Sequence, residues 1–203
     1  MYVLFEGIDT CGKSTQIELL SDRFDDVILT KEPGGTPLGQ QLREILLQDR
    51  LHSKRAELLL FLADRAEHYI QIIKPNMDKL ILSDRGFLSG ISYALANGDF
   101  VFEELLELNR FALENHLPNL VILFIADQET LMQRTSAKTL DGIELRGLEY
   151  LLQVQDHMHQ SLQKLSIPYL LINASEEIEK IHQKIYTKIS EAILGAQTEH
   201  NNY

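Results

Sequence analysis

The segment Gly7-Ile8-Asp9-Thr10-Cys11-Gly12-Lys13-Ser14-Thr15 constrains this chain more than any other. It reads Gly-x-x-x-x-Gly-Lys-Ser, follows the apolar run Tyr2 to Phe5, and opens a stretch from Ser14 to Arg23 with helical spacing. Strand, glycine-rich turn and helix in that order are the context of a phosphate-binding loop. Glycines let successive backbone N–H groups converge on one concavity, and the helix N-terminus adds partial positive charge there. Lys13 is expected to reach the β- and γ-phosphates of a nucleoside triphosphate, and the Ser14 hydroxyl to complete the coordination of Mg²⁺. An ordinary glycine turn is the competing reading; the strand before and the helix after count against it. On that helix, Ile17, Leu19, Leu20 and Phe24 are expected to turn inward.

Further short apolar runs recur at Val27–Thr30, Leu80–Ser83, Leu120–Ile125 and Tyr169–Asn173. Between the five runs lie stretches of helical spacing around Leu38–Leu47, Lys54–Ile73, Glu103–Glu114, Glu129–Lys138, Tyr150–Leu165 and Glu176–Leu194. Strands apolar on both faces and separated by helices imply a parallel sheet covered on both sides. The expected class is α/β, a P-loop NTPase-type five-stranded parallel sheet flanked by helices, in one domain over 1–194. A polar tail over 195–203 is expected to be disordered. With 203 residues, 44% of them hydrophobic, one core suffices.

Ligands bind at the carboxyl ends of such strands, and charged or glycine-rich residues recur there. After the second strand comes Thr30-Lys31-Glu32-Pro33-Gly34-Gly35-Thr36, with Arg43 a little beyond; after the third comes Ser83-Asp84-Arg85. The fourth leads to Arg134 and the irregular segment from Thr135, and the fifth to Asn173-Ala174-Ser175. The net charge of −11 argues against a nucleic-acid partner, so an anionic ligand must be held by a few placed cations. No apolar stretch approaches the roughly 20 residues that cross a bilayer, and no signal peptide is expected before the first strand. The single cysteine, Cys11, suits a reducing cytoplasm. His157 and His159, two apart on a helix, point to different sides and do not read as a metal pair.

Gly7–Thr15, Glu32–Thr36, Phe61-Leu62-Ala63-Asp64-Arg65, and Asp84-Arg85 with Ser89 and Tyr93, in this order and spacing, resemble the thymidylate kinase family. The resemblance spans roughly residues 1–175, and the Glu-Pro-Gly-Gly-Thr run is its most discriminating part. It implies Mg²⁺-dependent transfer of the ATP γ-phosphoryl to dTMP, giving dTDP and ADP, in a cytosolic homodimer. It further implies that Arg43 and Arg85 clamp the acceptor phosphate, Phe61 stacks on thymine and Arg65 bonds a base carbonyl. Asp9 orients the acceptor sugar, Tyr93 excludes a ribose 2′-hydroxyl, and Glu32, Pro33 and Ser89 complete the acceptor site. Asp84 acts near the metal, while Arg134 and Asn173–Ser175 lie on the adenine side. Phe61 and Arg65, four apart on one helix, share a face.

The chain departs from the family pattern at several positions. The family supplies an arginine over the transferring phosphoryl from the loop or from a short lid; here the loop position is Thr10. The expected lid, residues 135–146, carries Lys138 inside it, Gly142 where an arginine is common, and Arg146 at its end. Lys138 is therefore the expected catalytic cation and Arg146 the second choice. Gly86 and Ala94 stand where an aromatic and a polar residue are usual. Cys11, among converging N–H donors, is expected to be open to a maleimide, with nucleotide protecting it; the alternative is that it replaces a small residue. A kinase for another small acceptor and a nucleotide-dependent switch are the other readings. The switch lacks an Asn-Lys-x-Asp base reader.

Overall fold

The computed structural model describes residues 1–48, 51–135 and 147–200. Five strands, β1 (Tyr2–Glu6), β2 (Val27–Lys31), β3 (Leu80–Asp84), β4 (Leu120–Ile125) and β5 (Tyr169–Asn173), form one parallel sheet in the order β2-β3-β1-β4-β5. β1 is buried at every position and β4 at all but Ile125, as expected of central strands covered on both faces. The edge strands β2 and β5 are more open. All five expected strands are present, within one residue at each end.

The register levels the functional end of the sheet. Phe5 of β1 pairs with Asp84 of β3, and Lys31 of β2 pairs with the same Asp84. The segments following β1, β2 and β3 therefore leave the sheet side by side.

The helices are α1 (Lys13–Ser21), α2 (Pro37–Leu47), α3 (Lys54–His68), α4 (Phe87–Ala96), α5 (Phe102–Ala112), α6 (Gln128–Thr135), α7 (Leu148–Lys164) and α8 (Ile178–His200). Thr36 caps α2, its hydroxyl accepting from Gly39 N at 3.0 Å with Pro37 in the first turn, and Ser53 caps α3 through Ala56 N at 3.2 Å. α3 continues through one π turn, Tyr69–Ile73, and one 3₁₀ turn, Lys74–Asn76.

Three expectations need correction. Helical spacing marks no element over 87–96, yet α4 forms there. Phe87, Leu88, Ser89, Ile91, Ser92 and Ala94 are all buried, because α3, α5 and α7 surround the helix. The segment is apolar or small and carries no charged residue, so no charged face marks it as a helix. Leu19 is exposed, since the inward stripe of α1 runs through Ile17 and Leu20; Phe24, beyond the helix end, is half-buried against Tyr186 of α8 at 5.2 Å. The polar tail expected from Gly195 is helical through His200, one glycine costing a helix only about 1 kcal/mol.

Candidate active site

The loop between β1 and α1 is shaped by close approach. At Gly7, with φ +139°, a Cβ would stand 2.7 Å from the Phe124 carbonyl oxygen of β4, so no side chain fits. Lys13 folds back over this loop, its Nζ donating to the Gly7 and Ile8 carbonyls at 3.0 Å each. Ser14 donates to Asp84 Oδ2 at 2.8 Å, which joins α1 to the end of β3. The other carboxylate oxygen, Asp84 Oδ1, is buried with no hydrogen-bond partner among the described residues. A hydroxyl beside an unsatisfied buried carboxylate oxygen is a donor set that fits Mg²⁺, which takes one or two carboxylates together with phosphate oxygens. Among the described residues no cluster of three or more His, Cys, Asp or Glu offers an all-protein metal cage.

Arg85 follows β3 with φ +70°, a conformation uncommon outside glycine that concentrates at functional sites. Its guanidinium donates to Asp9 Oδ1 at 2.5 Å and to Ser89 Oγ at 3.0 Å, and lies 5.9 Å from the Tyr93 ring centre. Ser89 in turn is held by Glu6, the last residue of β1, through both its backbone N–H and its hydroxyl. Burial pushes the Glu6 carboxyl above the usual range, against the hydrogen bonds from Ser89 and the charge of Arg85.

A second network holds the turn after β2. Glu32, 3% exposed, pairs with Arg65 Nη2 at 2.8 Å and accepts from His68 Nδ1 at 2.8 Å, and His68 Nε2 shares a 2.6 Å bond with the Thr30 hydroxyl. Burial pushes the Glu32 carboxyl up, but Arg65 and His68 together hold it below the usual range. Arg65 Nη1 donates to Asn109 Oδ1 of α5 at 2.6 Å. A Cβ at Gly90 would stand 3.0 Å from the same Nη1, so a bare backbone on α4 gives the guanidinium its room. Asn109 takes one of the five N–H donors of Arg65, Glu32 faces Nη2 as an ion pair, and Nε is buried without a hydrogen-bond partner among the described residues. Arg43 Nη1 donates to the Pro33 carbonyl at 3.1 Å.

Asp64, fully buried, accepts from Gly34 N at 3.1 Å. Burial and the Glu32 charge push its carboxyl up to about 6. The folded protein thus holds a proton that the unfolded chain releases at lower pH. Stability from this group is present in acid, declines between about pH 4 and pH 6, and stays low above; a shift of this size is worth about 3 kcal/mol. Asp64→Asn keeps the acceptor for Gly34 and loses the charge. Its melting temperature relative to the parent is expected to be several degrees more favourable at pH 8 than at pH 4.5; a difference independent of pH would refute the assignment.

Two adjoining cavities result. One is lined by Asp9, Glu32, Pro33, Arg43, Leu47, Phe61, Arg65, Arg85, Gly86, Ser89, Gly90 and Tyr93. The other is lined by Asp9, Thr10, Gly12, Lys13, Ser14, Thr15, Lys31, Glu32, Arg43, Asp84 and Arg85. Asp9, Glu32, Arg43 and Arg85 line both. A third lies behind the loop, between Thr10–Gly12, Thr15, Gln16 and the Ala174–Ile181 segment.

The family model for thymidylate kinase matches residues 5–185. The chain belongs to the thymidylate kinase family. It is 67% identical over 187 residues to a thymidylate kinase of Sulfurovum sp. (strain NBC37-1), covering 92% of this chain and 98% of that protein. It is 57% identical over 188 residues to a thymidylate kinase of Campylobacter concisus (strain 13826), covering 91% and 96%. The crystal structure of thymidylate kinase from Ehrlichia chaffeensis superimposes with a TM-score of 0.75 at 26% identity, over 94% of this chain and 98% of that one.

All nine residues that the family resemblance assigns to the acceptor site line the first cavity. Gly7 and Ile8 form the base of the loop, where Lys13 takes their carbonyls. Arg134 lies on α6, and Ala174 and Cys11 line the third cavity. Lys138 and Arg146, with the expected lid from residue 136, lie outside the described residues. Cys11 is 1% exposed, its sulfur 3.7 Å from Lys13 Nζ and packed against Gly7, so little of the thiol is open to a maleimide in this conformation. The thiol serves as a small core group there. Glu6, His68 and Asn109 escape the sequence reading, and Lys31 enters it only as part of the charged run after the second strand, with no role. Glu6 leaves a trace as a carboxylate ending an apolar strand; His68 and Asn109 are folded into the site from separate elements.

Proposed function

We propose that this chain is a thymidylate kinase that moves the γ-phosphoryl of ATP to dTMP in nucleotide biosynthesis. The observation that carries the reading is the wall shared by the two cavities. Arg43 and Arg85 face the phosphate-binding loop on one side and the pocket of Phe61, Arg65 and Tyr93 on the other. An acceptor phosphate between those arginines presents an oxygen to the γ-phosphorus of a triphosphate lying in the loop. The bond to the β,γ-bridging oxygen breaks as the new P–O bond forms, and ADP leaves. Positioning and charge stabilisation supply most of the catalysis in such transfers.

Asp9 fixes Arg85 and stands at the junction, placed to orient the acceptor sugar. Ser14 and Asp84 would hold Mg²⁺, which when bound offsets charge on the phosphate oxygens. Lys138 is the lid cation we assign to the transferring phosphoryl. Dimerisation is assigned to α3 and α5, which pack together and expose Leu59, Leu108 and Phe111, the last 86% exposed; a monomeric sedimentation coefficient would reject it. Among the described residues no helix is long and apolar enough to cross a membrane, and a cytoplasmic location is proposed from the single cysteine.

A coupled ADP-release assay over a panel of nucleoside monophosphates tests the function. dTMP is expected to give the highest kcat/KM, and a clear preference for another acceptor would overturn the reading. Within it, Phe61 is the stacking platform. Base–aromatic stacking is worth roughly 1–3 kcal/mol, so Phe61→Ala is expected to raise KM for dTMP about tenfold with KM for ATP unchanged. An equal loss for both substrates would return Phe61 to a packing role.

A further inference from the structure

With Thr10 in place of an arginine the loop supplies no cation beyond Lys13, yet the triphosphate cavity contains a cation the loop does not provide. Lys31 ends β2 and lines that cavity with Lys13, Arg43 and Arg85. The side-chain direction follows from the strand. Thr30 turns toward α3, where its hydroxyl meets His68, so Lys31, next along the strand, turns to the opposite face. Its register partner Asp84 shares that face and binds Ser14 of α1. The Lys31 ammonium therefore projects over the same face as the Ser14–Asp84 pair.

The four cations differ in how they are held. Lys13 is tied to two loop carbonyls, Arg43 to Pro33 and Arg85 to Asp9. The Lys31 side chain is exposed, and its ammonium has no hydrogen-bond or ion-pair partner among the described residues. The same cavity contains three carboxylates, Asp9, Glu32 and Asp84. Without Lys31 its formal charge is zero, a poor receptacle for a triphosphate facing a phosphate monoester.

We propose that Lys31 is a catalytic residue of this site, an ammonium that contacts the terminal phosphates of the bound triphosphate and stabilises charge on the transferring group from the β2 side. The inference rests on the kinase reading given above. It is compatible with a lid cation, because Lys31 stands on the sheet and is in place before any segment closes. A flexible stem with three donors can follow the phosphoryl group as it moves between donor and acceptor.

Lys31→Met and Lys31→Arg test it. Lys31→Met is expected to lower kcat about tenfold to a hundredfold and to weaken calorimetric binding of Mg·ATP about fivefold. KM for dTMP is expected to stay within about twofold, because Arg43 and Arg85 still hold the acceptor phosphate. Binding of inorganic tripolyphosphate, which has no base or sugar, is expected to weaken as much as that of ATP. Lys31→Arg keeps the charge and is expected to restore most of both losses. Parental kcat and ATP affinity in Lys31→Met would overturn the proposal. So would losses that Lys31→Arg fails to repair and that accompany a lowered melting temperature. Should the parent protein prove inert toward dTMP, the kinase reading fails, while the two calorimetric titrations still decide whether Lys31 binds a polyphosphate.

Discussion

Lys138→Ala is expected to lower kcat by about 10³-fold or more while leaving KM for dTMP nearly unchanged. A cation brought to a transferring phosphoryl group is worth about 10³–10⁵ in kcat, and the loop cannot supply one through Thr10. The acceptor site remains intact in this variant, since none of its residues belongs to the lid. Lys138→Arg is expected to retain turnover, because a guanidinium fork matches phosphate oxygens at least as well as an ammonium. Normal turnover in Lys138→Ala with loss in Arg146→Ala would move the role to Arg146. Parental rates in both would leave the lid without a catalytic cation and place the whole demand on groups fixed to the sheet.

Arg65→Ala is expected to lower the melting temperature by about 10 °C and to raise KM for dTMP at least tenfold. The structural cost follows from Glu32, which is buried and would lose the guanidinium that neutralises it. Removing one partner of a buried ion pair costs about 3–5 kcal/mol, and each kcal/mol moves the midpoint of a chain this long by about 2–4 °C. His68 still donates to Glu32 and limits the damage. Adding Glu32→Gln to Arg65→Ala is expected to recover part of the stability, since no buried charge is then stranded, but none of the dTMP affinity. That split would separate the ion pair of Arg65 from the base contact proposed for it. A melting temperature within about 2 °C of the parent would show that the pair contributes little to the fold.

Much of this architecture is legible in the sequence because its signals are local. The five strands are short runs apolar on both faces, and the first cavity gathers every residue of the Glu32–Pro33, Phe61–Arg65 and Arg85–Tyr93 motifs assigned to the acceptor. α4 escapes because, buried on several sides, it carries no charged residue to mark a solvent face. The burial of Cys11 is missed for a related reason: the loop motif specifies backbone geometry, whereas access to the sulfur depends on how Gly7 and β4 pack over it.

By itself, the sequence determined the strand–loop–helix unit at Gly7–Thr15, the alternation that makes a parallel sheet, and the residue types able to hold two phosphate-bearing ligands. Spacing along the chain is sufficient for these, since each depends on neighbours within one or two turns. The tertiary structure alone decided which groups are charged and where they point. Arg65 and His68 reach Glu32 from α3 and hold its carboxyl below the usual range, while the Asp64 carboxyl is pushed up to about 6 because the same fold buries it beside Glu32. Lys31 faces the triphosphate cavity because the register of β2 on β3 sets it beside Asp84. Desolvation and Coulomb interaction act through space, and the distances that govern them exist only once the chain has folded.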